Sequence, residues 1–245
     1  MSSGATADGA RRLARELPDV AVVDIDGTLL DSNYHHTLAW ARAFEAVDRP
    51  VPLWRLHRHI GMGGDRLVAA ATDDETEARL GDRVRDLWKQ EFDRMIEETR
   101  LAPGARGLLD AFAGAGLRVV LASSSIPEHA ARPLRLLDAE ERADGWTTSS
   151  DAERSKPDPE LIEKALEKVR GDRAVMIGDS VWDVAAAEEC AIPTVGVLTG
   201  GFSAAELREA GAVAVVDDAA ELATRLDELL EIVAAGRDEG ATSGG

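Results

Sequence analysis

Two aspartates stand at the end of an apolar run near the start of the chain, in the stretch VVDIDGTLLDS over residues 22–32. On a β-strand, side chains two positions apart point to the same face, so the carboxylates of Asp24 and Asp26 would crowd and repel one another. Gly27 follows at once and allows a sharp turn. Such a pair is unfavourable in a buried core. It would be useful if the two carboxylates bound a cation, or if one acted as an acid or base and the other had a different role. The stretch is therefore a candidate catalytic or metal site.

Three further groups of polar residues follow apolar runs later in the chain. The first is a run of three serines at positions 123–125, and the second is Lys156 in the proline-stiffened stretch SKPDP. The third pairs Asp179 with Asp183 in GDSVWD. Phosphate binding calls for hydroxyl and amide donors and a cation, while oxygen-only ligands suit Mg²⁺. Each group also has a structural interpretation: the serines and Asp183 as helix caps, and the lysine as a solvated surface residue.

The composition describes an acidic globular protein. Of 245 residues, 44% are hydrophobic and 30% are charged, and the formal net charge is −18. Nucleic acids and anionic membranes need a basic partner surface, so we expect neither as a partner. No apolar run approaches the ~20 residues that span a bilayer, and the first residues contain no apolar signal-peptide stretch. The single cysteine, Cys190, leaves no internal disulfide and no thiolate metal cluster, so a cytoplasmic location is expected.

Five short apolar runs bounded by turn residues predict buried parallel strands, because they are continuous in Val, Ile, Leu and Ala rather than alternating. They cover residues 20–25, 117–123, 173–178, 193–198 and 212–216. Helical patterns lie between them, and capping boxes at Ser125–Glu128 and Ser203–Glu206 mark two of the starts. Strands that alternate with helices predict an α/β fold with a doubly wound parallel sheet.

One segment, residues 33–100, breaks this alternation with helical periodicity and no convincing strand. We expect it to form a helical cap, inserted at the carboxyl end of the first strand and lying over the ligand crevice of such a sheet. The predicted core domain then comprises residues 1–32 and 101–245, with a loose leading helix over residues 1–18.

The order of the motifs resembles that of the haloacid dehalogenase superfamily of phosphatases, which has a Rossmann-like core. Over about residues 18–235 the chain looks like the branch with a small helical cap, which includes phosphoglycolate phosphatase-like and β-phosphoglucomutase-like enzymes. DxDGT at positions 24–28, followed by Lys156 and then GDxxxD at 178–183, is a specific combination. The resemblance implies hydrolysis of a small phosphorylated metabolite, and we expect a monomer or homodimer.

Each matched residue has an expected role. As a carboxylate, Asp24 can attack phosphorus and form an aspartyl-phosphate, which splits hydrolysis into two easier steps. Asp26 would protonate the leaving oxygen and then remove a proton from water, and a neighbouring carboxylate would help by raising its pKa. The resemblance assigns phosphate contacts to the Ser123 hydroxyl and the Ser124 backbone amide. Lys156 would neutralise phosphate oxygens as a point charge.

The resemblance also implies Mg²⁺ as the cofactor. Asp24 and Asp179 would be its carboxylate ligands, together with the backbone carbonyl of Asp26. Asp183 would act indirectly, by holding a metal-bound water or Lys156. A protein this acidic must hold an anionic substrate through such local positive charges.

Substrate selection is expected in the cap. The stretch HRHIGMGGDR over residues 57–66 combines basic side chains with three glycines. Arg58 or Arg66 could bind a carboxylate or a second anionic group of the substrate. The alternative is a flexible turn between helices with surface arginines. His36, just past the first motif, could contact the substrate or pack beneath the cap.

Enzymes with other activities share the same fold, and particular residues distinguish them from a phosphatase. Dehalogenases of the superfamily lack a second aspartate, so Asp26 argues against that activity. A phosphonate-cleaving enzyme would need a cap lysine for a Schiff base, and Lys89, the single lysine of the cap, lies in a helix that looks structural. A sugar phosphomutase shares the core, but such relatives often carry an acidic residue where this chain has Gly178. A catalytically silent regulatory module is the remaining alternative.

Overall fold

A sheet of six parallel strands forms the centre of the computed structural model, which describes residues 17–242, with side chains described as far as residue 235. The strands are β1 (Val20–Val23), β4 (Arg118–Ala122), β5 (Gly145–Thr147), β6 (Ala174–Gly178), β7 (Thr194–Val197) and β8 (Ala214–Val216). Their order across the sheet is β5-β4-β1-β6-β7-β8. The predicted doubly wound α/β fold is confirmed. The predicted leading helix lies outside the described residues, apart from its last two positions.

The central strand β1 explains why the apolar runs are continuous. All four of its side chains are fully buried. Val20 and Val22 lie in an apolar cluster on one face of the sheet, while Ala21 and Val23 lie in a larger cluster on the other face. Because successive side chains point to opposite faces and helices cover both, every position of the strand must be apolar.

Sequence reasoning does not predict β5. Its three residues, Gly145, Trp146 and Thr147, are neither an aliphatic run nor an alternating pattern. The strand lies at the edge of the sheet and pairs with β4 alone. An edge strand is covered less completely than a central one, so its residues carry a weaker apolar signal.

Helices cover the sheet and build the inserted segment. In chain order they are α1 (Asn33–Glu45), α2 (Leu53–His57), α3 (Gly64–Ala71), α4 (Asp74–Asp93), α5 (Ala105–Gly114), α6 (Pro127–Leu137), α7 (Ala139–Arg142), α8 (Glu160–Glu167), α9 (Val181–Glu189), α10 (Ala204–Glu209), α11 (Ala219–Thr224) and α12 (Leu226–Thr242). Short 3₁₀ turns occur at Ile96–Glu98, Ser149–Asp151 and Leu198–Gly200. Within the described part of the chain, no helix has the length and apolar character needed to cross a membrane.

The segment 33–100, which we call the cap, contains α1 to α4 packed around an apolar cluster of its own. Its buried members include Trp40, Phe44, Leu56, Val68 and Val84. The chain enters and leaves the cap through two short antiparallel strands, β2 (Leu30–Asp31) and β3 (Arg100–Leu101). This pairing keeps both connections side by side, close to the carboxyl end of β1. The extent of the cap as a separate domain stays a prediction.

The helix starts bear on the two predicted capping boxes. Ser203 and Glu206 form both bonds of the box at the start of α10, as predicted. At the start of α6, Ile126 occupies the cap position and no side chain caps the helix. The Ser125–Glu128 box is therefore wrong, because the Ser125 hydroxyl bonds elsewhere.

We expect Gly104→Ala to lower the free energy of unfolding. Gly104 precedes α5 with φ of +79°, and a Cβ at this position would overlap the backbone of Ala220. The left-handed conformation alone costs an L-residue about 1–2 kcal/mol, and the overlap adds to this. Urea denaturation should therefore show a loss of about 2 kcal/mol or more.

Gly107→Ala is the matched control for this prediction. Gly107 lies inside the same helix, is exposed, and has no neighbouring atom within 4 Å of the place where a Cβ would stand. Alanine is the better helix former, so the free energy of unfolding should rise by about 0.5–1 kcal/mol. Similar effects of the two substitutions would contradict the conformation described for Gly104.

Candidate active site

Three buried carboxylates converge at the carboxyl end of the sheet. Asp24 directly follows β1, Asp179 directly follows β6, and Asp183 lies in the first turn of α9. One carboxylate oxygen from each lies within 4.8 Å of those of the other two. Since β1 and β6 are parallel neighbours, their carboxyl ends bring these residues to one edge of the sheet.

A buried lysine joins this cluster. Lys156 comes from the loop between β5 and α8, and its side chain is only 1% exposed. Its Nζ forms ion pairs with Asp24 and, at 2.6 Å, with Oδ1 of Asp183. Burial favours the neutral amine, but Asp183 and Asp24 outweigh it and hold the pKa of Lys156 well above its usual value. The lysine is therefore charged and offsets part of the negative charge of the cluster.

Asp179 is held by neutral donors. Thr28 Oγ1 donates to its Oδ1 at 3.0 Å, and Asn33 Nδ2 donates to its Oδ2 at 2.8 Å. Gly27, with φ of +85°, approaches so closely that a Cβ there would overlap the Asp179 carboxylate. Burial and the neighbouring Asp183 raise the pKa of Asp179 to about 7, although the two donors act in the opposite direction.

The cluster suits a divalent cation. Burial also raises the pKa of Asp24, against the opposing charge of Lys156. Ionisation of Asp24 and Asp179 is therefore less favourable than in water, and a nearby dication would favour the ionised form of both. The donor atoms are all oxygens, which Mg²⁺ prefers. The residues present thus fit the metal that the sequence predicts, with Asp24 and Asp179 as the carboxylates that would hold it.

Asp183 has a different part in the cluster. Its Oδ2 accepts hydrogen bonds from the backbone N–H and the hydroxyl of Ser180 and so caps α9. Its Oδ1 pairs with Lys156. Both sequence interpretations, helix cap and partner of the lysine, therefore describe the same side chain. Its participation in metal binding stays a prediction.

The carboxylate of Asp26 has partners of its own. Its Oδ1 accepts a hydrogen bond from Ser32 Oγ at 2.7 Å and lies 3.3 Å from His36 Nε2, while its Oδ2 accepts from Ser125 Oγ at 2.8 Å. Burial opposes ionisation, but the bonds from His36, Ser32 and Ser125 outweigh it and hold the pKa of Asp26 well below its usual value. The expectation that a neighbouring carboxylate raises this pKa is wrong, because polar donors surround the group instead.

The serine run lies beside these aspartates. Ser123 follows β4, the neighbour of β1, and its Oγ accepts a hydrogen bond from the backbone N–H of Ser125 at 3.1 Å. Ser124 lines a cavity of about 50 Å³ beneath the cap, together with Asp24 and Asp26. This placement is compatible with phosphate contacts from Ser123 and Ser124, which stay predictions.

The predicted cap residues occupy different places. His36 lines the same cavity and stacks on Phe92, with ring centroids 3.9 Å apart. Arg58 does not line that cavity; it pairs with Glu206 of the core. Arg66 does not line it either. The roles proposed from sequence for Arg58 and Arg66 in substrate binding receive no support from this arrangement and stay predictions.

The cap loop rests on the loop that carries the buried lysine. The Ser155 hydroxyl donates to Asp65, and the backbone N–H of Gly63 donates to the same hydroxyl oxygen at 3.0 Å. Arg66 reaches Asp158 at 3.5 Å. Ser155 and Asp158 stand on either side of the lysine in the sequence, so these contacts couple its position to that of the cap.

Four polar residues that hold the aspartates of the site are given no such contact by sequence reasoning. They are Thr28, Ser32, Asn33 and Ser125. The first three lie within or just after the first motif, and polar residues beside apolar ones at this point indicate that they belong to the site. Ser125 gives no such indication, because its spacing from Glu128 also fits a helix capping box.

We expect Lys156→Met to lower the free energy of unfolding of the metal-free protein by about 3–5 kcal/mol, because it leaves buried carboxylates without their cation. Denaturation in the presence of a chelator measures this change. Methionine keeps most of the length of the side chain, so packing is altered little.

Lys164→Met is the matched control. Lys164 is a half-buried surface lysine of α8 that pairs with Glu167. Such surface pairs contribute little to stability, so no measurable change is expected. An equally small effect at Lys156 would contradict the buried ion pair.

Comparisons with known proteins agree with this geometry. A family model described as haloacid dehalogenase-like hydrolase matches residues 18–190. A phosphoglycolate phosphatase from Rhodospirillum rubrum is 32% identical over 84% of this chain and 90% of its own. A phosphorylated carbohydrates phosphatase from Thermotoga maritima is 29% identical over 81% and 94%. The structure of a hydrolase from Pseudomonas syringae, 32% identical, has a TM-score of 0.79 and covers 86% of this chain and 98% of its own. The chain therefore belongs to the haloacid dehalogenase-like hydrolase family.

Proposed function

We propose that this hydrolase is a Mg²⁺-dependent phosphatase that cleaves a small phosphomonoester through an aspartyl-phosphate at Asp24. The observation that carries the proposal is the buried ion pair of Lys156 with Asp24, beside Asp179. A nucleophilic carboxylate, a fixed cation and oxygen ligands for a metal are the groups that phosphoryl transfer requires. The two relatives above are named as phosphatases of phosphoglycolate and of phosphorylated carbohydrates, which supports a small phosphorylated metabolite as the substrate.

Asp24 is the nucleophile of the first step. An oxygen of its carboxylate attacks phosphorus, the P–O bond to the alcohol breaks, and the alcohol oxygen leaves with the electron pair. Lys156 holds Oδ1 of Asp24, so the carboxylate is oriented before the substrate arrives. The same ammonium group, the Ser123 hydroxyl and the Ser124 amide stabilise the charge on the transferring phosphoryl group.

Asp26 moves the proton in both steps. As an acid it protonates the leaving oxygen, and as a base it takes a proton from the water that hydrolyses the aspartyl-phosphate. Its lowered pKa keeps the carboxyl group ionised in the protein alone. A bound phosphate would raise this pKa, because a nearby like charge disfavours the ionised form, and so would favour the protonated form that the acid role needs. Ser32, Ser125 and His36 orient the carboxylate throughout.

Mg²⁺ would be held by the carboxylates of Asp24 and Asp179 and by the backbone carbonyl of Asp26. When bound, it supplies positive charge to the phosphate oxygens, in a protein whose net charge is −18. Thr28 and Asn33 orient the Asp179 carboxylate for this role.

A sugar phosphomutase and a catalytically silent module are the alternatives to this function. A mutase would return the phosphoryl group to a sugar instead of releasing it as inorganic phosphate. A silent module is disfavoured, because the nucleophile, the acid and base, the cation and the metal ligand are all present. A cytoplasmic location and a monomeric or homodimeric state stay predictions.

Phosphate release should depend on a divalent metal. With a panel of phosphorylated metabolites, we expect turnover to stop when a chelator is added and to return with excess Mg²⁺, because the buried carboxylates and the substrate are both anionic. Turnover that persists in the chelator would remove the metal from the proposal. Interconversion of sugar phosphates without release of phosphate would establish the mutase instead.

Substitution of the paired aspartates should separate their roles. We expect Asp24→Asn to abolish formation of the aspartyl-phosphate, and Asp26→Asn to lower kcat by about 10²–10⁴-fold through loss of acid and base catalysis. Asp172→Asn, at an exposed loop position, is the control and should leave kcat/KM unchanged. If Asp24 of the wild type takes up beryllium fluoride lastingly but no ester is turned over, the silent module is the better description.

A further inference from the structure

A second and larger cavity adjoins the one over Asp24 and Asp26. Its volume is about 330 Å³, against about 50 Å³ for the smaller cavity. Trp88 of the cap and Ser124 of the core line both, so the larger cavity, which we call the junction pocket, is continuous with the site of phosphoryl transfer. Small-molecule sites begin at roughly 300 Å³. The junction pocket therefore has room for the organic part of a substrate, and the smaller cavity does not.

The walls of the junction pocket are largely apolar. Trp88 lines it from the cap, and Ile126, Ala152 and Leu161 line it from the core. Trp88 stacks on Trp40 with ring centroids 4.9 Å apart. A ligand with an apolar face would match this wall.

The basic residues of the junction pocket are already paired, as far as the described residues show. Three of them line it: Arg85, which pairs with Glu77 and Asp82; Lys89, which pairs with Asp93; and Arg154, which pairs with Asp158 and Glu160. Three further carboxylates line the pocket, those of Asp65, Asp86 and Glu153. An anionic group placed here would meet three lining carboxylates, and three lining cations that already have carboxylate partners, so it would be held less well than an uncharged group.

We propose that the alcohol part of the substrate is an uncharged polyhydroxylated ring, bound in the junction pocket against Trp88 while the phosphate lies at Asp24. This inference rests on the proposed function. Ring hydroxyls can donate to the carboxylates of Asp86 and Glu153, which line the pocket. The apolar face of the ring packs on the apolar wall.

Two other kinds of phosphate ester fit the junction pocket poorly. Phosphoglycolate would bring a carboxylate to a wall without a free cation and would fill little of the volume. A bisphosphate would bring a second phosphate there. The bisphosphate intermediate of a sugar phosphomutase meets the same obstacle, so the junction pocket also favours the phosphatase.

Steady-state kinetics on matched esters test this inference. The wild-type protein with Mg²⁺ is given fructose 6-phosphate, glucose 6-phosphate, fructose 1,6-bisphosphate and phosphoglycolate, and phosphate release is measured. We expect kcat/KM for the two neutral-ring monophosphates to exceed that for the other two esters by about tenfold or more, as expected where a site leaves a charged group unpaired. Calorimetry with the Asp24→Asn protein should give the same order of affinities without turnover.

A variant pair isolates the charge of the pocket wall. Ile126→Lys adds a cation at a partly exposed position, and Ile126→Met is the matched control of similar length. Relative to methionine, lysine should raise kcat/KM for phosphoglycolate and for the bisphosphate by about tenfold through a charge-assisted contact, with no rise for fructose 6-phosphate.

The outcomes separate this inference from the function on which it rests. If phosphoglycolate is hydrolysed at least as efficiently as the ring monophosphates, the uncharged ring is overturned and the phosphatase stands. Equal responses of the two Ile126 variants to the anionic esters would overturn it in the same way. If no phosphomonoester releases phosphate with Mg²⁺, the proposed function fails and this inference fails with it.

Discussion

The buried ammonium group of Lys156 is the interaction on which the candidate site depends. Asp24 comes from one segment and Asp179 and Asp183 from another, and the close approach of the three carboxylates in the interior is unfavourable without an opposite charge. Lys156 pairs with Asp24 and Asp183. Since Asp183 also caps α9, one carboxylate orients both the lysine and the helix that follows β6. A dication at Asp24 and Asp179 would supply the charge that the lysine alone does not.

The contacts around the lysine link the cap to the chemistry. Ser155 and Asp158, which flank Lys156 in the sequence, bond to Asp65 and Arg66 of the cap. Arg58 joins the cap to the core through Glu206. Arg58, Asp65 and Arg66 of the cap loop thus contact the core. In our proposal, recognition of the organic part of the substrate would fall to the junction pocket, with Trp88 and the apolar residues opposite it.

With a metal bound, the positive charge available to a substrate would lie at the phosphate end. At the phosphate end stand Lys156 and the groups suited to a metal, whereas the basic residues of the junction pocket are paired with carboxylates. An acidic protein can therefore hold one phosphate strongly and offer no comparable attraction to a second anionic group. Asp26 pairs neither with Lys156 nor with the basic residues of the junction pocket, since hydroxyls and a histidine surround its carboxylate.

The sequence by itself determined the parts that depend on local patterns. The buried strands follow from continuous apolar runs. The order of Asp24, Lys156 and Asp179 along the chain indicates the site, because the carboxyl ends of parallel strands lie at one edge of a sheet. Only the tertiary structure decided what depends on partners far away in the chain. Ser125 has the local pattern of a helix cap but bonds to Asp26, 99 positions earlier. Together with His36 and Ser32 it lowers the pKa of Asp26, against the expected direction. The partner of Arg58 in the structure, Glu206, is likewise 148 positions away in the chain. A polar side chain bonds whichever partner the fold brings near, and no local pattern specifies that partner.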